Sequence, residues 1–375
     1  MAHQRIVIAA AALAGAAMLT GCNLLTIPRP FSTPAETPAP AAVQSLPVPV
    51  PMPLEGESPT SIYQRVAPSV VYIETDWGTG SGFVIEVNGE KYIVTNNHVV
   101  SPFRVVRIAL PDGNELIDAP VVDVDMLADL AVIGPVETDA PPLVLSQDVV
   151  TAVGSPVYLI GYPGESEVFP QPTLATGLLS NIRRWPAADL TYYQTDASTV
   201  GGQSGGVLVS GNGEVIGVPT FWFGTPGAFG LALSSADALP RVRQIIAGED
   251  SDGLGQRGTI LDDTDDMQTL AVGQTITGAI DYYGDNDVFL IELARGDVVD
   301  VAVDSIHIDP MVLMGDESAT EADLVSDDDS GRGVFGTDAL LTFEAETSGT
   351  HVIVVQNLSG NPGAYLLSVR PGQLD

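Results

Sequence analysis

The sequence predicts an all-β chain: a domain of two small barrels followed by a small antiparallel, jelly-roll-like β-sandwich. Three observations predict it. Short apolar runs closed by turn signals recur from residue 61 onward, with little helical periodicity. The first runs fall into two similar series, each about 80 residues long, the size of one small barrel. A glycine-bearing acidic stretch, residues 248–267, then separates them from a third group of runs.

The N-terminal part is expected to be export and anchoring sequence, not fold. Arg5 precedes the uncharged run Ile6–Leu19, which is too short for a spanning helix of about 20 residues but suits a signal-peptide core. Leu19-Thr20-Gly21-Cys22 follows. It resembles the bacterial lipobox that closes a lipoprotein signal peptide (residues 1–22 with the lipobox cysteine), which implies lipidation of Cys22, cleavage just before it and an extracytoplasmic protein held at the cell membrane. Cys22 is the sole cysteine, so no intramolecular disulfide is available. Residues 24–59 hold 10 prolines. Proline removes backbone donors and favours extended chain, so residues 23–60 read as a tether.

In residues 61–247, strands are expected at Ser69–Glu74, Gly82–Val87, Tyr92–Thr95, Val105–Leu110 and Leu130–Gly134, then at Pro156–Gly161, Leu174–Asn181, Tyr192–Thr195, Val207–Ser210 and Val215–Val218. Asn88-Gly89 and Asn212-Gly213 are hairpin signals, and Pro111-Asp112-Gly113 is a turn. In residues 268–371, the runs Gln274–Ile280, Val288–Leu293, Val298–Val303, Met311–Met314, Leu340–Phe343, His351–Gln356 and Tyr365–Val369 suggest the sandwich.

Charge narrows the function. The net charge is −34; residues 1–247 carry 22 acidic and 10 basic side chains, residues 248–375 carry 26 and 4. Nucleic acid, itself a polyanion, is therefore not an expected partner. Solubility or a salty environment accounts for the charge. Asp285, Asp287 and Asp327-Asp328-Asp329 are candidate calcium ligands without the spacing of an EF-hand loop, and the sequence favours solvated loops there. His307 and His351 have no ligand partners at metal spacing and are expected at the surface or in packing.

Chemistry enters with three segments. His98 lies in Thr95-Asn96-Asn97-His98-Val99-Val100, Asp129 in Asp-Leu-Ala-Val-Ile, and Ser204 in Gly201-Gly202-Gln203-Ser204-Gly205-Gly206. A hydroxyl becomes a nucleophile when a base takes its proton, and a carboxylate fixes that base's tautomer. Asp123 and Asp125 compete for the carboxylate role; the sequence around Asp129 favours it. The order His, Asp, Ser is one of several in which this triad occurs on unrelated folds.

Residues 61–247 resemble the trypsin-like, chymotrypsin-fold serine proteases, in particular the HtrA type. The resemblance rests on the three segments above, Gly78-Thr79-Gly80-Ser81-Gly82-Phe83, Gly161-Tyr162-Pro163-Gly164 and Gln194-Thr195-Asp196-Ala197. It implies a serine endopeptidase with His98, Asp129 and Ser204 in a cleft between two barrels, and an oxyanion hole from the amides of Gly202 and Ser204. Peptide or protein substrates are expected, and neither a cofactor nor a catalytic metal. Gln203 is neutral, so pairing with a freshly cleaved amino terminus is not expected. The family's pocket base falls on uncharged Ser198, which implies small or medium apolar residues at the cleavage site; Thr220, Phe221 and Trp222 are candidate pocket walls. Residues 268–371 resemble the bacterial pre-peptidase C-terminal domain through Gly284-Asp285-Asn286-Asp287-Val288-Phe289, Gly349-Thr350-His351-Val352-Ile353-Val354-Val355 and Gly363-Ala364-Tyr365-Leu366-Leu367. No PDZ domain, usual in the HtrA type, is visible. The sequence leaves the oligomeric state open.

Two enzyme rivals are weaker. Gly202-Gln203-Ser204-Gly205-Gly206 fits the α/β-hydrolase elbow, but strand signals instead of a helix follow it. A serine–lysine pair would need Lys91, the only lysine. A protease fold that only binds peptides or cell-envelope material is the rival of a different class.

Overall fold

Between β2 (Thr79–Val87) and β3 (Glu90–Thr95), Asn88 and Gly89 both take positive φ, 55° and 85°. This is the backbone of a tight hairpin whose twist matches the strands it joins. The computed structural model describes residues 57–101, 103–147, 151–164, 171–198, 200–222, 229–249, 267–280, 285–320, 323–331, 333–359 and 362–373. Cys22, the expected tether up to residue 56, most of the acidic linker and Tyr283-Gly284 lie outside them.

The first barrel adds β1 (Val70–Glu74), β4 (Val105–Ala109), β5 (Glu115–Asp125) and β6 (Leu130–Ile133), and closes in the order β1-β2-β3-β6-β5-β4. Val71, Ile73, Val84, Ile93, Ile108 and Ile133 fill it. The second barrel consists of β7 (Pro156–Gly161), β8 (Thr173–Trp185), β9 (Leu190–Thr195), β10 (Val207–Ser210), β11 (Val215–Trp222) and β12 (Gly230–Ser234). Read from β7, its closed order β7-β8-β9-β12-β11-β10 repeats the first barrel strand for strand. Closure leaves neither barrel with an open edge.

Helices supplement this frame. Ser58 caps α1 (Pro59–Val66) by accepting the Ser61 amide at 3.2 Å, with Pro59 at the first helical position where its missing N–H costs nothing. The one-turn helix α2 (Asn97–Val100) carries His98. Ser234 caps α3 (Ser235–Ala247), which ends on Gly248 in the left-handed region. A second apolar layer crosses between the barrels. It joins Val70, Phe83 and Leu130 of the first to Ile160, Val207 and Leu231 of the second, with Val242 and Ile245 of α3.

The C-terminal domain is a two-sheet sandwich. One sheet runs β13 (Gln268–Leu270), β15 (Asn286–Leu293), β20 (Gly349–Asn357), β17 (Pro310–Asp316), β18 (Val325–Asp327); the other runs β14 (Thr275–Ile280), β21 (Gly363–Pro371), β16 (Val298–Asp304), β19 (Ala339–Glu344). Buried residues alternate along β15 and β16 and meet in one core around Phe289, Val301, Ile353 and Tyr365. The expected all-antiparallel pairing needs one correction: β13 pairs with β15 in parallel. The long connection from β13 through β14 brings the two strands together in the same direction.

Among the described residues, no group of three or more His, Cys, Asp or Glu side chains is placed to hold a metal. Asp287 is buried and accepts a hydrogen bond from the Tyr365 hydroxyl, and Asp327 accepts from the amides of Ser330 and Leu340. His351 is a packing residue, buried with its ring edge-on to Phe343 at 5.5 Å.

Candidate active site

Asp129 closes the turn between β5 and β6. Its φ is +51°, a left-handed conformation that aspartate tolerates better than most residues. This conformation turns the carboxylate back toward α2. Oδ1 accepts the His98 amide at 2.9 Å and Oδ2 lies 2.7 Å from His98 Nδ1. From the second barrel, the Thr220 hydroxyl donates to the same Oδ2. The Asn96 side-chain amide donates to the Asp129 carbonyl at 2.7 Å. An ionised carboxylate can only accept, so Nδ1 carries the proton and Nε2 of the neutral ring is the basic atom.

The two partners sit in contrasting environments. The Asp129 side chain is 4% exposed and that of His98 41% exposed, so the ring has one edge on the buried carboxylate and another open to solvent. Burial drives the His98 imidazole toward neutrality, but the charge and hydrogen bond of Asp129 outweigh it and raise the ring above its ordinary pKa. Burial likewise favours neutral Asp129. His98 and the Thr220 hydroxyl more than offset that and hold the carboxyl below its usual range. Asp123 and Asp125 do other work. Asp123 accepts the Val124 amide, while buried Asp125 accepts the Ala128 amide and pairs with Arg241 of α3.

Ser204 is half-buried in the loop before β10. That loop is pinned to the first barrel at Ser81 of β2. The Ser81 amide donates to the Ser204 carbonyl at 2.8 Å, and the Ser81 hydroxyl donates to the Gly202 carbonyl at 2.7 Å while accepting the Tyr162 amide at 2.8 Å. Gly205 has φ +78°; a Cβ there would lie 2.2 Å from the Ser81 carbonyl oxygen and 3.1 Å from the Asn96 amide. Only glycine lets the residue after Ser204 press against the cap of the helix that bears His98. Among the described residues the Ser204 hydroxyl makes no hydrogen bond, to His98 or otherwise; contacts between nucleophile and base are often long without substrate and tighten when it binds.

Gly202 takes φ +91°, and a Cβ there would meet the Gly164 amide at 2.5 Å. The Gln203 amide is committed to the Val200 carbonyl at 3.3 Å, whereas the flanking amides of Gly202 and Ser204 donate to no acceptor among the described residues. Two alternate donors thus remain available beside the hydroxyl. Buried Gln203 braces the loop itself: Oε1 accepts the Val200 amide at 3.0 Å and Nε2 reaches the Thr173 hydroxyl at 3.4 Å.

The pocket residues separate. Ser198 is exposed on the loop leading to Ser204, and Thr220, expected as a pocket wall, is buried with its hydroxyl on Asp129. Phe221 and Trp222 continue β11, and their side chains lie outside the described residues. Ser81 and the link from Thr220 to Asp129 were not singled out from sequence. Both are ordinary hydroxyls whose partners come from the opposite barrel.

Two barrels of identical strand order, with a His–Asp pair on one and a glycine-flanked serine on the other, define a trypsin-like peptidase domain. A family model described as "Trypsin-like peptidase domain" matches residues 80–218, which include His98, Asp129 and Ser204. Within that class the chain is similar to proteases of the HtrA type. The chain is 39% identical over 186 residues to the mitochondrial serine protease HTRA2 of Bos taurus, covering 42% of this chain and 37% of that one. It is 33% identical over 228 residues to the chloroplastic protease Do-like 1 of Arabidopsis thaliana, covering 53% and 49%. The chain therefore spans less than half the length of these relatives. A solved serine endoprotease from Yersinia pestis aligns at 31% identity over 51% of this chain and 68% of its own, with a TM-score of 0.44.

Proposed function

We propose that the chain is an extracytoplasmic serine endopeptidase in which His98 is the general base, Asp129 its orienting carboxylate and Ser204 the nucleophile. The observation that carries this reading is the twofold grip of Asp129 on His98, through the backbone amide and Nδ1, beside a serine loop pinned to the same barrel. Nε2 takes the Ser204 proton as Oγ attacks the scissile carbonyl. The tetrahedral oxyanion is received by the amides of Gly202 and Ser204. His98 then returns the proton to the leaving amine, and a water molecule repeats the sequence to hydrolyse the acyl-enzyme. No step calls for a metal or cofactor.

The uncharged, exposed Ser198 supports cleavage after small or medium apolar residues. Profiling with a peptide library is the test: cuts concentrated after residues such as alanine or valine are expected, and a majority after lysine or arginine would refute the pocket assignment. The rival, a peptide-binding adaptor without catalysis, predicts no cuts from folded protein.

The proposal includes a lipid anchor at Cys22, the proline-rich tether and a sandwich of the pre-peptidase C-terminal type. A Cys22→Ala protein is expected in the soluble extracytoplasmic fraction while wild type sediments with membranes. Equal sedimentation of both would remove the anchor.

A further inference from the structure

His307 stands on the turn between β16 and β17 of the sandwich, yet its partners belong to the peptidase. Its Nε2 lies 2.8 Å from the carbonyl oxygen of Leu127, two residues before Asp129 and 180 positions away in sequence. A carbonyl only accepts, so Nε2 carries the proton. The ring also meets Trp185 of β8 edge-on, with centroids 5.8 Å apart. Its own turn is built for the task. The Ser305 hydroxyl accepts the amides of His307 and Ile308 at 2.9 and 3.1 Å and donates to the Ala364 carbonyl at 2.8 Å. A Cβ on Gly363 would come within 2.7 Å of the His307 Cβ, so glycine leaves the imidazole its place.

The contact is part of a broad junction. Ile306, Ala279, Ala364 and Leu366 of the sandwich share one buried apolar cluster with Leu127, Trp185 and Tyr192 of the peptidase. Phe335 stacks on Phe229, just before β12, and the Arg183 guanidinium lies 5.3 Å from one ring and 5.5 Å from the other. Such a junction holds the sandwich in one orientation, unlike a mobile appendage.

The turn of residues 126–129 is thus held from three sides. Arg241 acts on it through Asp125, Asn96 holds the Asp129 carbonyl, and His307 holds the Leu127 carbonyl. We infer that His307 is a positioning residue for the peptidase and that the docked sandwich is a working part of the active site, fixing the turn from which Asp129 grips His98. This rests on the peptidase reading above. Among the described residues, the titratable groups facing His307 include Asp129, Asp125 and His98, with Arg241 paired to Asp125. Burial chiefly keeps His307 neutral, lowering it against the pull of Asp129; it acts as a hydrogen-bond donor, not as a charge.

The experiment uses the full chain with His307→Phe, which keeps an aromatic ring against Trp185 but loses the donor, and His307→Gln, which restores a donor. The readouts are kcat and KM on a peptide substrate and the NMR titration of the His98 ring. His307→Phe is expected to lower kcat about tenfold, the scale of one lost hydrogen bond, with KM unchanged. It should also lower the His98 pKa as the grip of Asp129 loosens, and His307→Gln should recover most of both. The sign discriminates between mechanisms: removing a neighbour that acted only through positive charge would raise the His98 pKa. A folded His307→Phe protein with unchanged His98 titration overturns the inference, as does an upward shift. An inactive wild type would sink the peptidase reading, while the titration would still decide the role of His307.

Discussion

Ser204→Ala protein is expected to lose activity by on the order of a millionfold in kcat, the loss seen when a triad nucleophile is removed, while melting at the wild-type temperature. The two halves have separate causes. Without Oγ no acyl-enzyme can form, and only the oxyanion donors and substrate positioning remain. The structural role of residue 204 is carried by its backbone, whose carbonyl accepts the Ser81 amide, and alanine keeps that bond. Among the described residues the hydroxyl contributes no hydrogen bond to stability. A fluorophosphonate probe should therefore label wild type and leave folded Ser204→Ala unlabelled. Labelling of the variant would place the nucleophile elsewhere, and an unlabelled, well-folded wild type that binds peptide tightly would favour the adaptor.

The residues of the candidate site were legible because each sits in a short local pattern, and the glycines around Ser204 are demanded by two positive φ values. The strand series was legible where a short apolar run was closed by turn signals, as in β7 and β10, which are buried almost throughout and whose observed bounds match the expected ones. It failed at β5, where Asp118 adopts positive φ, Pro120 interrupts the donors and two of the pairings shift register. Helix α3 was hidden by Pro240 inside it. Proline removes an internal bond and usually breaks a helix, but Val242 and Ile245 bury their side chains in the layer between the barrels and hold this one. The supports of the site were least legible. Thr220 lies 91 positions from Asp129, and His307 lies 180 from Leu127. No local pattern encodes a partner at that distance; only closure of the barrels and docking of the sandwich create it.

The same geometry makes Asp129→Asn a severe change despite its nearly unaltered shape. The carboxylate accepts three donors: the His98 amide, His98 Nδ1 and the Thr220 hydroxyl. A carboxamide has one accepting oxygen and one donating nitrogen, so it cannot satisfy all three. With its nitrogen toward the ring, Nδ1 must accept, the proton moves to Nε2, and the base that Ser204 needs is gone. A fall in kcat on the order of 10⁴ is expected for such a tautomer reversal. The pH profile gives an independent signature. His98 must be neutral to take a proton, so activity rises with pH through its pKa. In wild type Asp129 raises that pKa, and the acid limb should lie above the ordinary histidine value of about 6.5. In Asp129→Asn the charge is absent and burial alone remains, which disfavours the imidazolium, so the limb of the residual activity should move to lower pH. Full activity in the variant would assign the orienting role to another carboxylate. A loss of activity with an unmoved limb would mean that Asp129 does not set the charge state of His98.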